Sequence, residues 1–195
     1  PSSAASDVYK RQAVTGRIFT ADHHVYDLPP LLSWNVRHTG TVPCDSWSVT
    51  AVYQPEMLTV LRMAAGFAAI ENGMTQLRGI VDEYTVELGS RGMTVTLSGR
   101  GYAARLLDNE SRPVTYEQVT LRELIRCHAE PYGISCGAAA DLRPTVPYTA
   151  GAGISQWKVI SEFCRTYGGF LPRFAKTGEL LATPEQDSGK RIILD

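Results

Sequence analysis

Leu77-Arg78-Gly79-Ile80-Val81-Asp82-Glu83-Tyr84-Thr85-Val86-Glu87-Leu88, then Gly89-Ser90-Arg91-Gly92, then Met93-Thr94-Val95-Thr96-Leu97-Ser98: two β-prone runs around a glycine-flanked turn decide how this chain folds. The first run predicts a long strand with Ile80, Tyr84, Val86 and Leu88 on a common face. The second returns with Met93, Val95 and Leu97 on one face and Thr94, Thr96 and Ser98 on the other. The glycines between them supply the positive φ that a tight turn needs.

Upstream the signals stay β. Ile18-Phe19 and Val25-Tyr26 are short β-prone pieces between polar turns. Trp34 to His38 alternates apolar and polar. So does Asp45 to Tyr53, with Trp47, Val49, Ala51 and Tyr53 on one face and Pro43 and Pro55 outside it. Leu58 to Ile70 is mixed: its alanines favour helix, but Gly66 opposes it. We expect a strand over Arg62 to Ile70.

Downstream the period changes. Thr120 and Glu123 have the spacing of a capping box, and Leu121, Leu124, Ile125 and His128 follow at helical intervals, with Pro131 and Gly133 as the stop. Ser155 reads as a second N-cap, with Ile154 and Val159 as a hydrophobic staple across it. Trp157, Ile160, Cys164 and Tyr167 line one face of that helix, and Gly168 stops it. Phe170–Ala175 and Glu179–Thr183 predict a hairpin around Lys176-Thr177-Gly178. The expected fold class is α+β: an N-terminal antiparallel β-barrel over 13–112, then a small α+β domain over 113–185 with two helices and a hairpin. Residues 1–12 (PSSAASDVYKRQ) read as a non-native or disordered leader. Residues 186–195, with Arg191 to Asp195 strand-like, read as the start of a truncated second barrel.

Composition narrows the function. Of 195 residues, 44% are apolar and 20% charged, an ordinary globular balance. The 19 basic and 20 acidic residues divide evenly along the chain, 10 and 11 up to Arg112 and 9 and 9 after it. Neither part has the basic excess that a phosphate backbone demands, so nucleic-acid binding is not expected. No apolar run is long enough for a membrane-spanning helix. Cys44, Cys127, Cys136 and Cys164 form no C-x-x-C pair and read as plain thiols rather than zinc ligands.

Candidate chemistry is thin. His23-His24 sits in a polar turn and His38 at a strand end, and both read as surface. Cys127 and His128 are helical neighbours whose side chains diverge by about 100° and cannot form a nucleophile–base pair. Cys164 and His128 could meet in space as a thiol–imidazole pair, but nothing in the sequence places them together. Gly99-Arg100-Gly101 starts like a phosphate-cradling loop, but Ala104 stands where the third glycine belongs. Asp82, Glu83, Asp108 and Glu110 read as turn and surface carboxylates. We expect no catalytic, cofactor or metal site, and no enzyme.

Several phrases together resemble a known family. They are Trp47-Ser48-Val49, Arg78 to Glu83, Ser98-Gly99-Arg100-Gly101, Ala104 to Glu110, Thr120 to Ile134 and Ser155 to Gly168. In that order and spacing they resemble the phage late control D and tail baseplate hub family, which is related to the base of the type VI secretion spike. The resemblance covers most of Leu31 to Pro184. It implies a virion structural protein, made in the bacterial cytoplasm. It would be a homotrimer whose barrels form a ring between tail tube and spike, with the tail tube, tape-measure and spike or baseplate proteins as partners. The family's second barrel is missing here or only begun, which marks the chain as a fragment. The alternative is a binding module. Thr120 to Thr183 is loosely similar to peptidoglycan-binding LysM modules, which would make the chain a cell-wall anchor of a tail-associated protein.

Overall fold

The computed structural model describes residues 14–39, 43–90 and 92–185, so the expected leader and second-barrel start lie outside the described residues. The fold is a sheet-rich α+β arrangement with four α-helices. Its first part is one antiparallel sheet. In chain order the strands are β1 (Val14–Thr20), β2 (Val25–Asp27), β3 (Leu31–Arg37) and β4 (Ser46–Val52). After helix α1 (Met57–Arg62) come β5 (Ala64–Glu71), β6 (Met74–Gly89) and β7 (Gly92–Gly101). In space the order is β2-β1-β5-β6-β7-β4-β3.

The sheet is strongly curled. β4 and β5 stand three places apart in that order, about 14 Å if the sheet were flat. Yet Trp47 of β4 and Phe67 of β5 stack with ring centroids 3.9 Å apart. Trp47 reaches this position by lying over β6 and β7, where glycines leave room. A Cβ on Gly99 would stand 2.9 Å from the Trp47 ring and 2.0 Å from the Ile80 carbonyl oxygen. The Trp47 indole then donates to that carbonyl at 3.1 Å. Around this pair Ile18, Leu28, Val49, Ala51, Leu77, Val95 and Leu97 complete a core, and α1 closes one side of it with Met57 and Leu61. The two end strands β2 and β3 are joined only by Leu28-Pro29-Pro30, which can span about 14 Å at most. Among the described residues no hydrogen-bonded pairing of β2 with β3 closes the ladder.

Two expectations change. Leu58 to Arg62 is helical, so the strand expected from Arg62 begins two residues later. Ile80 does not share a face with Tyr84, Val86 and Leu88. The pairing shifts between Val81, opposite Gly99, and Glu83, opposite Ser98. Asp82 is the extra residue of a β-bulge, which reverses the alternation. Leu77 and Val81 face the core before it, Tyr84 and Val86 after it.

The second part has its own core. α2 (Ala104–Leu107) leads to β8 (Val114–Tyr116), α3 (Leu121–His128) and a 3-10 turn at Glu130–Tyr132. Then come β9 (Cys136–Ala139), β10 (Tyr148–Ala150), α4 (Gln156–Gly168), β11 (Arg173–Phe174) and β12 (Leu180–Ala182). The capping box forms: Thr120 Oγ1 accepts from the Glu123 amide at 3.2 Å, and Glu123 accepts from the Thr120 amide at 2.9 Å. Ser155 caps α4 by accepting from the Lys158 amide at 3.2 Å. Leu121, Leu124 and Ile125 of α3 meet Val159, Ile160, Phe163 and Cys164 of α4. β11 and β12 form the expected hairpin, and β12 also pairs in parallel with β9. Leu106 belongs to this core, so the chain enters it through α2.

Candidate assembly surface

The bulge at Asp82 sorts the residues of the outer sheet. Beyond it, β6 turns Tyr84, Val86 and Leu88 to the core side and Glu83, Thr85 and Glu87 to the other. Cross-strand register extends the second set into rows. Glu83, Ser98, Ser48 and Asn35 lie side by side across β6, β7, β4 and β3, and so do Thr85, Thr96, Thr50 and Ser33. Ser98 Oγ donates to Glu83 at 3.0 Å, and the Thr50 and Thr96 hydroxyls are bonded at 3.0 Å. Such pairs contribute about 0.2–1 kcal/mol each. The two rows hold hydroxyls, an amide and a carboxylate, with no basic side chain.

The far end of this sheet is apolar and uncovered. Leu88 is 81% exposed, Leu32 59%, Val52 47% and Met93 42%. With Tyr53 they line an open groove of about 600 Å³ at the tip of the β6–β7 hairpin. Glu87, Ser90 and Thr94 line the same groove, so its wall is as polar as it is apolar.

At the other end a charged knot ties the sheet to the second core. Arg100, the middle residue of the Gly99-Arg100-Gly101 phrase, lies in β7 and not in a loop. It donates to both carboxylate oxygens of Asp82, at 2.9 and 3.0 Å, and to Asp108 at 3.0 Å. The bonds to Asp82 first, then Asp108, hold its guanidinium firmly protonated. The phrase therefore spends its one cation on two carboxylates. Beside it Tyr102 packs between the Arg78 and Arg105 guanidiniums, 5.6 and 4.7 Å from its ring, and Lys176 donates to Gln76 at 2.7 Å.

The other candidates are scattered. His24 contacts Asp22, and His38 contacts Asp45 at 2.9 Å. Cys44 and Cys127 are exposed. Cys164 is enclosed by the second core, and burial pushes its thiol up to about 12. His128 is buried with both ring nitrogens engaged, Nε2 with the Tyr116 hydroxyl at 3.0 Å and Nδ1 with Gln156 Oε1 at 2.6 Å. Gln156 also donates to the Glu110 carbonyl and the Tyr132 hydroxyl, both at 2.9 Å. Its amide nitrogen is therefore fixed, its oxygen accepts, and His128 carries its proton on Nδ1. Sequence reading missed this network, because Gln156 follows the cap residue and looks like a surface position. Among the described residues no group of three or more His, Cys, Asp or Glu is placed to hold a metal.

No family model and no curated protein matches this chain. Solved structures do. A tail protein from Neisseria meningitidis MC58 superposes over 86% of this chain and 49% of its own, with a TM-score of 0.64 at 16% identity. The 43 kDa tail protein of prophage MuSo2 from Shewanella oneidensis superposes over 87% and 53%, with a TM-score of 0.65 at 15% identity. A third, an E. coli type VI secretion component described as similar to the T4 tail proteins gp27 and gp5, scores 0.46 at 11% identity over 87% and 44%. The first two share the fold, and this chain spans about half the length of each.

Proposed function

We propose that the chain is a structural subunit of a phage or prophage tail baseplate hub, part of a ring between tail tube and spike. The observation that carries this is a fold held in common with two tail proteins over 86% and 87% of the chain. The curled sheet, 13–112, acts as a barrel-type tube domain, and 113–185 is an α+β attachment to it. The intact protein is a homotrimer in the virion tail, in contact with tube, tape-measure and spike proteins.

Its role is mechanical and not catalytic. Cys164 is enclosed with its thiol pushed up to about 12, and both His128 nitrogens are engaged, so this pair offers neither a ready nucleophile nor a free base. The polar hydroxyl face and the apolar hairpin tip suit extended contact between proteins.

Quantitative mass spectrometry of purified tails from particles encoding this chain is the test. It should appear in equal number with the spike subunit. Its absence from intact tails would overturn the reading. So would clearing of bacterial cell wall by the purified chain, and retention on peptidoglycan would favour the cell-wall anchor.

A further inference from the structure

The chain has three asparagines, Asn35, Asn72 and Asn109, and all three are exposed. Exposure does not tell them apart, but their surroundings do. Asn35 lies inside β3, paired with Ser48, and is followed by Val36, whose branched side chain crowds its own backbone nitrogen. Asn109 is tied down. Its side-chain amide donates to the Arg105 carbonyl at 2.7 Å, and its backbone carbonyl accepts from the Gln156 amide at 2.9 Å.

Asn72 has neither restraint. With Gly73 it forms the whole two-residue turn between Glu71 and Met74, at φ of 51° and 77°. Among the described residues neither the Asn72 side chain nor the Gly73 amide makes a hydrogen bond. A Cβ built on Gly73 would meet nothing within 4 Å, and Met74 beyond it is 64% exposed, so the turn is open on that side. The pairing of β5 with β6 shifts between Ala69 and Ile70, which makes Gln76 an extra residue. Only the pairs Ile70–Thr75 and Glu71–Met74 stand between this bulge and the turn.

We propose that Asn72 is a modification site, where the chain converts its own asparagine to isoaspartate with water as the only co-reactant. The Gly73 nitrogen loses its proton to solvent base and attacks Asn72 Cγ. The new N–C bond closes a five-membered succinimide. The Cγ–Nδ2 bond breaks, and that nitrogen takes a proton from water and leaves as ammonia. A water molecule then opens the ring at either carbonyl. Opening at Cγ gives aspartate. Opening at the backbone carbonyl gives isoaspartate, in which the main chain runs through Cβ and Cγ. In sum one water enters and one ammonia leaves, with no oxidation or reduction.

Each local feature serves a step. A nitrogen with no acceptor and no neighbouring Cβ can approach Cγ, an unbonded side chain can rotate to meet it, and the open side admits water. The product does not suit the turn. Isoaspartate adds a methylene to a main chain that two residues must reverse, and it leaves a carboxylate beside Glu71. The β5–β6 tip opens as far as the bulge at Gln76, and the ladder beyond it holds.

The test is ageing of the full folded chain in mildly alkaline buffer, followed by peptide mass mapping and by enzymatic methylation of isoaspartyl carboxylates. We expect the Asn72 peptide to carry many-fold more label than the Asn35 and Asn109 peptides, and the label to rise with pH. Asn72→Gly keeps a pair that can make the turn, and it should abolish the label. Hydrogen exchange on the aged chain should show protection lost from Ile70 to Thr75 and kept where Trp47 faces Gly99. Label spread equally over the three asparagines would overturn the proposal. So would an Asn72 that converts in urea but stays intact in the folded chain, because the turn would then shield it.

Discussion

The two parts of the molecule treat their surfaces differently. Among the described residues, the large apolar side chains left exposed are Val25, Leu32, Trp34, Val52, Leu58, Met63, Met74, Leu88 and Met93 in the sheet part, against Val146 and Leu171 in the helical part. The helical part closes on itself. Its helices are capped, its buried polar residues His128 and Gln156 are bonded to each other, and Phe163 packs edge-on to Tyr148 at 5.0 Å. The sheet part keeps open edges and an apolar tip. The lesson is that one unit is built to be self-sufficient and the other to be completed by contact.

The severest way to break this comparison is Gly99→Val. The new side chain collides with the Ile80 carbonyl and the Trp47 ring, so the sheet should lose about 4 kcal/mol or more. If the cores are separate, hydrogen exchange should show sheet amides losing protection while α3 and α4 keep theirs. Phe163→Ala is the mirror case. Its cavity should cost the helical core about 3–5 kcal/mol in urea unfolding, leaving sheet amides protected. Gln156→Ala leaves the His128 Nδ1–H and the Glu110 carbonyl without partners and should cost about 1–3 kcal/mol.

A finer test uses pH. The Thr120 amide, then its hydroxyl, hold the Glu123 carboxyl below its usual value near 4.5. The folded state therefore gains stability from the ionised form above that pH and loses it as pH falls through the lower folded value. Glu123→Ala should lower the melting temperature at neutral pH and leave a shallower loss on acidification below pH 4.5. Smallest of all, Leu88→Ser should change stability by less than about 0.5 kcal/mol, because the side chain is 81% exposed. It should still reduce self-association measured by light scattering at high concentration.

Sequence legibility followed the range of the interactions. The β6–β7 hairpin, both helix N-caps and the β11–β12 hairpin were readable because turn residues and periods of 2 and 3.6 are local, whereas Gly168, expected to stop α4, is its last residue and Gly169, with φ of 70°, is the cap. The α1 helix was hidden by a short, mixed window in which alanines and a glycine compete. The bulge at Asp82 was invisible because only the partner strand reveals an extra residue. Asn72-Gly73, with φ of 51° and 77°, is a turn signal between β5 and β6 that was there to be read and was passed over. The surface was the least readable part. Nothing local says that Val81 to Gly89 outruns β5, or that Trp34 on the core side stays half exposed.

The Leu28-Pro29-Pro30 link has a kinetic consequence. β1–β2, β3–β4 and β5–β6–β7 are each contiguous in the chain, but the seams β1/β5 and β4/β7 join residues about fifty positions apart, such as Ile18 with Phe67 and Trp47 with Gly99. Because a three-residue tether couples the two seams, the β5–β6–β7 meander must slot between two already leashed hairpins. Folding should therefore have one slow insertion step, with amides of both seams gaining protection together in pulsed exchange.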